Sequence, residues 1–74
     1  MSTFYEKMEE KLKEHRLSLR EQQILLLWIQ DYNYKQIASC LEVSPHTVRT
    51  VIKRIYVKMK ADSKVTLIAM IMDK

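Results

Sequence analysis

The chain has 74 residues and a formal net charge of +4, with 47% hydrophobic and 30% charged side chains, one proline, one cysteine and no glycine. That length allows one domain and one small core, in which a deep catalytic cleft is hard to build. The missing glycines exclude phosphate-cradling loops, and a lone cysteine excludes an internal disulfide or a thiolate zinc site, so the expectation is a small all-α binding protein, not an enzyme, with no cofactor and no metal.

Residues 4–16, FYEKMEEKLKEHR, read as one charged helix. Phe4, Tyr5, Met8, Leu12 and His15 share a face, and Glu9 stands four residues before Lys13. The stripe is narrow, which makes residues 1–16 a peripheral extension of a main domain over 17–74. His15 is expected at its edge, partly exposed. Nothing in residues 1–16 resembles the apolar core of a secretory leader, and the apolar runs of the chain are far short of a membrane span. A cytoplasmic protein without membrane attachment is therefore expected.

Ser18 and Glu21 have the capping-box spacing that starts a helix, with Leu17 as the apolar residue before the cap. The following run, QQILLLWIQ, places Ile24, Leu25, Trp28 and Ile29 inward with Leu27 close by, and Trp28 reads as a core anchor. Asn33 and Gln36 repeat the capping-box spacing at the start of a short helix, Tyr34–Leu41, that presents Ile37, Ala38 and Leu41 inward. Cys40 on it reads as a small hydrophobe or an edge residue. After a turn at Glu42-Val43, Ser44-Pro45 opens a third helix over about 45–58: serine accepts a first-turn N–H, and proline at the first helical position forfeits no hydrogen bond. Ala61-Asp62-Ser63 interrupts the chain, and a last helix over about 64–72 is apolar on nearly all sides.

Charge is distributed unevenly. Residues 1–31 carry a net of −1 and residues 32–74 a net of +5, with the excess in Arg49, Lys53, Arg54, Lys58, Lys60 and Lys64. A clustered basic stretch points to an anionic partner, most often nucleic acid, or else to a solvated helix face. Two helices joined by a tight turn, the second opening with Ser-Pro and lined by basic residues, form a helix-turn-helix pattern. At about 100° per residue, Val48, Ile52, Ile55 and Met59 share the core stripe. His46, Arg49, Thr50 and Lys53 fall on the other side, with Arg54 flanking. Such a helix can enter a major groove without losing its packing, its Arg and Lys donating to guanine and its threonine touching a thymine methyl. Ser44 and Thr47 stand where a helix N-terminus meets a phosphate.

The stretch from Leu17 to Met72 resembles the LuxR/GerE-type DNA-binding domain of bacterial transcription regulators. The resemblance rests on Leu19-Arg20-Glu21, on Lys35-Gln36-Ile37-Ala38, on Val43-Ser44-Pro45-His46-Thr47-Val48, and then on Ile55-Tyr56, Lys58-Met59 and Lys64. Region 4 of sigma factors shares the first three helices but not the tail after Met59. The resemblance implies a four-helix helix-turn-helix bundle, here with an extra charged N-terminal helix, in which the third helix reads the major groove of double-stranded DNA. It adds Lys35 and Lys58 to the DNA-binding set of Ser44, His46, Thr47, Arg49, Thr50, Lys53 and Arg54. It also implies a homodimer through the fourth helix, and hence an imperfect palindrome as operator.

The pattern of the last helix agrees with that dimer. Val65, Leu67, Ile68, Met70, Ile71 and Met72 cannot all face one core, and an exposed apolar patch marks an interface; Val65, Ile68 and Met72 are assigned to it. Members of the family usually have glycine near positions 31, 42 and 60, where this chain has Asp31, Glu42 and Lys60. Asp tolerates a left-handed backbone better than Glu or Lys, so the turns at 42 and 60 are either strained or built differently. Val51 stands where many relatives are polar, and Val57 is apolar on the outward side. Many family members carry a receiver or small-molecule-binding domain ahead of this module, so the chain is expected to be either a stand-alone regulator, the favoured reading, or an excised domain. The competing expectation is a protein-interaction module, an inhibitor or adaptor of another transcription regulator or RNA polymerase with weak or no DNA binding.

Overall fold

Each capping signal starts a helix. In the computed structural model, which describes residues 6, 10 and 13–72, the described residues are helical or in turns, without strands. The helices are α1 (Leu19–Ile29), α2 (Tyr34–Leu41), α3 (Pro45–Met59) and α4 (Lys64–Met72). Phe4, Tyr5, Met8, Glu9 and Leu12 of the expected N-terminal helix lie outside the described residues. Within that stretch Glu6, Glu10, Lys13 and Glu14 are helical, and His15 is half-buried in a turn.

The caps are local and reciprocal. Ser18 Oγ accepts from the Glu21 N–H at 3.1 Å while Glu21 Oε1 accepts from the Ser18 N–H at 2.8 Å. Asn33 and Gln36 repeat the exchange at 2.8 and 2.9 Å. Ser44 Oγ accepts from the Thr47 N–H at 3.1 Å, with Pro45 in the first helical position. Ser63 serves α4 in the same way through Thr66. These bonds satisfy donors that a helix start otherwise leaves open.

The other ends share one device. Tyr32, Val43 and Ala61 each donate a backbone N–H to the carbonyl five residues earlier, on Leu27, Ala38 and Tyr56, at 3.0–3.2 Å. That closure needs a left-handed residue just before the donor, a position that favours glycine. Here those residues are Asp31 (φ 74°), Glu42 (φ 56°) and Lys60 (φ 54°). The glycine-free turns therefore keep the left-handed geometry instead of replacing it, at a cost of about 1 kcal/mol or more at each non-glycine site. Val43 and Ala61, which follow two of them, pack half-buried against the core and offset part of that strain.

The core is filled from all four helices: Ile24 and Leu25 from α1, Ile37 and Ala38 from α2, Val48, Ile52, Ile55 and Met59 from α3, Leu67 and Ile71 from α4. Leu17, just ahead of the α1 cap, joins them. Val51 is buried as well, widening the core face of α3. α3 packs on both α1 and α2, so its orientation is fixed from two sides. Trp28 differs from its expected place: it is half-buried at the rim of the core. Its indole N–H donates to the Tyr56 hydroxyl at 3.2 Å, which satisfies the polar end of the ring. Among the described residues no helix is long and apolar enough to cross a membrane.

Candidate nucleic-acid interface

With its apolar stripe committed to the core, α3 has its remaining surface free. His46, Thr50, Lys53 and Arg54 are all exposed on the side away from Val48, Ile52 and Ile55. Val57 continues that outward face one turn beyond Lys53 and is 76% exposed. Ser44 and Thr47 are exposed at the helix start, where Ser44 Oγ and Thr47 Oγ1 lie 2.9 Å apart. The positive end of the helix dipole at this point favours an anion beside those hydroxyls. Lys35, near the start of α2, is exposed on the neighbouring helix.

Lys58 has a different place from the rest of the basic set. Its ammonium donates to Glu21 Oε1 at 2.8 Å and to the Arg16 carbonyl at 3.4 Å. It lies on the α1 flank of α3, about half a turn of projection from Arg49, because nine residues separate the two. Glu21 is only 3% exposed, and its second oxygen has no hydrogen bond among the described residues. Burial alone would push the Glu21 carboxyl up. The hydrogen bond from Lys58, the contacts with Ser18 and the charge of Lys58 outweigh it and hold the pKa below its ordinary 4.5. The Lys58 ammonium, expected as a DNA contact, is thus engaged with Glu21 within the fold. The sequence carried no signal for this pair: the capping box gave Glu21 a local role, and Lys58 is 37 residues away.

Arg49 is exposed but not loose. Its guanidinium carbon sits 5.0 Å from the centre of the Tyr34 ring. That ring stacks on Trp28 at 5.2 Å between centroids and 17° between planes. The Lys64 ammonium lies 4.5 Å from the centre of the Trp28 ring and pairs with Asp31 at 3.0 Å. One run of contacts thus links α4, α1, α2 and α3. Asn33, Tyr34, Lys35, Pro45 and Arg49 line a shallow open concavity of about 370 Å³ between the starts of α2 and α3. Tyr34 has a role here that periodicity did not suggest, since it adjoins Arg49 only across the turn.

On α4, Leu67 and Ile71 are buried, Val65 (78%) and Met72 (57%) are exposed, and Ile68 is half-buried between them in the chain. Val65, Ile68 and Met72 follow the i, i+3, i+7 spacing of one helix face, which leaves an apolar stripe on the outside of a charged molecule. Among the described residues no group of His, Cys, Asp and Glu side chains is arranged to hold a metal ion.

A helix, a three-residue turn and a second helix with a basic outward face, braced by a helix on either side in the chain, define a helix-turn-helix DNA-binding domain. The family described as bacterial regulatory proteins, luxR family, matches residues 15–71, and the chain belongs to it. The family is one of DNA-binding regulators of transcription and not an enzyme family. No curated protein and no solved structure matched the chain.

Proposed function

We propose that the protein is a sequence-specific regulator of transcription that binds double-stranded DNA in the cytoplasm as a homodimer, with α3 in the major groove. The observation that carries this reading is the division of α3: its apolar stripe is fully buried while His46, Arg49, Thr50, Lys53 and Arg54 stand exposed. A helix divided in this way can enter a groove as a rigid body, because nothing in the core must move to free its outer side chains. In this reading Ser44, Thr47 and Lys35, all exposed, add phosphate contacts.

The apolar stripe of Val65, Ile68 and Met72 supports a symmetric dimer through α4. Such a dimer presents its two α3 helices to half-sites about one helical turn apart, so the operator is an imperfect palindrome. Val65→Glu with Met72→Glu leaves the core untouched and is expected to give a monomer in sedimentation at tens of micromolar. A dimer unchanged by both substitutions refutes this interface.

Selection of bound fragments from random DNA tests the whole reading. A palindromic consensus should emerge, and affinity for it should fall steeply with salt. Lys53→Ala and Arg49→Ala should each weaken operator binding by about 1–3 kcal/mol. Binding that depends on neither salt nor sequence would instead favour a module that acts on another regulator or on RNA polymerase.

A further inference from the structure

We infer that residues 4–15 fold back along α1 as an antiparallel helix, their apolar stripe seated on the outward stripe of Leu19, Gln22, Leu26 and Ile29. The occupant of this face is a segment of the same chain, and the inference does not depend on the DNA-binding reading above.

The first ground is the face itself. α1 gives Glu21, Ile24 and Leu25 to the interior. At about 100° per residue, Leu19, Gln22, Leu26 and Ile29 share a second stripe, about a third of a turn round from the first. Leu19 is 77% exposed, and Gln22, Leu26 and Ile29 are half-buried. No residue from Gln22 to Gln30 carries a charge, in a chain where 30% do. A helix face left to water is normally charged, whereas this one can be covered without burying any ion.

The second ground is register. Tyr5, Met8, Leu12 and His15 follow spacings of 3, 4 and 3 residues, and so do Leu19, Gln22, Leu26 and Ile29. Such a spacing reads the same in both directions, so an antiparallel pair matches at every step: His15 with Leu19, Leu12 with Gln22, Met8 with Leu26 and Tyr5 with Ile29. Both stripes are about 15 Å long at a rise of about 1.5 Å per residue. The described residues of the segment agree with this. Glu6, Glu10, Lys13 and Glu14 are helical and exposed, on the side opposite Met8 and Leu12 in projection, and His15 is half-buried.

The third ground is the connection. Helical backbone ends at Glu14, and residues 15–18 carry the chain to α1. Arg16 has a left-handed backbone (φ 60°), and its N–H returns to the Lys13 carbonyl at 2.9 Å, which stops the helix there. Leu17 is buried and the Arg16 carbonyl accepts from Lys58 at 3.4 Å, so the turn is fastened to the body of the domain. A connection this short makes antiparallel neighbours of the helices it joins. In a domain this small, the added cover is a substantial share of the apolar burial.

The experiment places cysteine pairs in the full chain, with Cys40→Ser as background. Met8→Cys with Leu26→Cys should form a disulfide within one chain under mild oxidation, read as a monomer by non-reducing electrophoresis and as the loss of two hydrogens by mass. Glu10→Cys with Leu26→Cys, from the opposite side of the segment, should not. In the chain without added cysteines, Met8→Glu and Leu19→Glu should each lower the melting temperature by about 4–8 °C. An uncovered Leu19 predicts the reverse sign, since an acidic residue in the first turn of a helix is favourable. Circular dichroism below the transition confirms that each variant is folded. The inference is overturned if the 8–26 pair does not cross-link in folded protein, or if the 10–26 pair cross-links as readily. It is equally overturned if the 8–26 pair joins two chains, the mark of a segment seated on a second copy, or if either glutamate leaves the melting temperature unchanged or raised.

Discussion

Arg49 and Lys58 stand on the same helix, carry the same charge and find opposite company. Lys58, towards the end of α3 and itself 36% exposed, pairs with a buried carboxylate on α1. Arg49, in the second turn, meets an aromatic face on α2 and keeps both its charge and its donors. A carboxylate neutralises a cation, whereas a ring only holds it in place. A count of basic residues along a helix therefore overstates its electrostatic footprint, and the partner on the neighbouring helix decides which of them a ligand can use.

The largest expected effect lies at the Lys58 end. Lys58→Met leaves Glu21 as a buried carboxylate without its counter-charge. Breaking a fully buried pair costs about 3–5 kcal/mol. Lys58 is 36% exposed, so the expected loss is nearer to about 2 kcal/mol, read as a fall of the denaturation midpoint in urea. Binding per folded molecule should change little, which separates Lys58 from Arg49.

The same pair makes stability depend on pH. The folded Glu21 pKa lies below the ordinary 4.5 of the unfolded chain, so the folded state holds its proton less tightly. The stabilisation is present above about pH 4.5 and is lost as pH falls through the folded value. Glu21→Gln should flatten the acid limb of a thermal-denaturation series. An unchanged acid limb would mean that other carboxylates govern it.

Smaller effects are expected at the strained turns and at the Arg49 end. Glu42→Gly and Lys60→Gly relieve a left-handed side chain and should each stabilise by about 1 kcal/mol, seen as a higher melting temperature. Asp31→Gly should yield less, because Asp tolerates that region better. Arg49→Ala touches no buried group and should move stability by less than about 0.5 kcal/mol, while its effect on DNA affinity remains large. A destabilising Arg49→Ala would erase the distinction between the two ends of the helix.

Much of this molecule could be read along the chain. The capping pairs Ser18–Glu21 and Asn33–Gln36 and the Ser44-Pro45 start fixed where three helices begin, because each involves residues three apart or adjacent and needs only backbone geometry that every helix shares. The periodicity of α3 separated Val48, Ile52, Ile55 and Met59 from His46, Thr50 and Lys53 for the same reason. The resemblance located the turns at 31, 42 and 60, and the structure shows Asp, Glu and Lys accepting a left-handed backbone there, each turn closing locally on a carbonyl five residues back. Only the packed structure paired Lys58 with Glu21, moved Trp28 to the rim beside Tyr56 and brought Tyr34 under Arg49. These contacts depend on how helices distant in sequence cross, and the crossing is set by the fit of Ile24, Ile37, Ile55 and Leu67 in one core, which no single segment encodes.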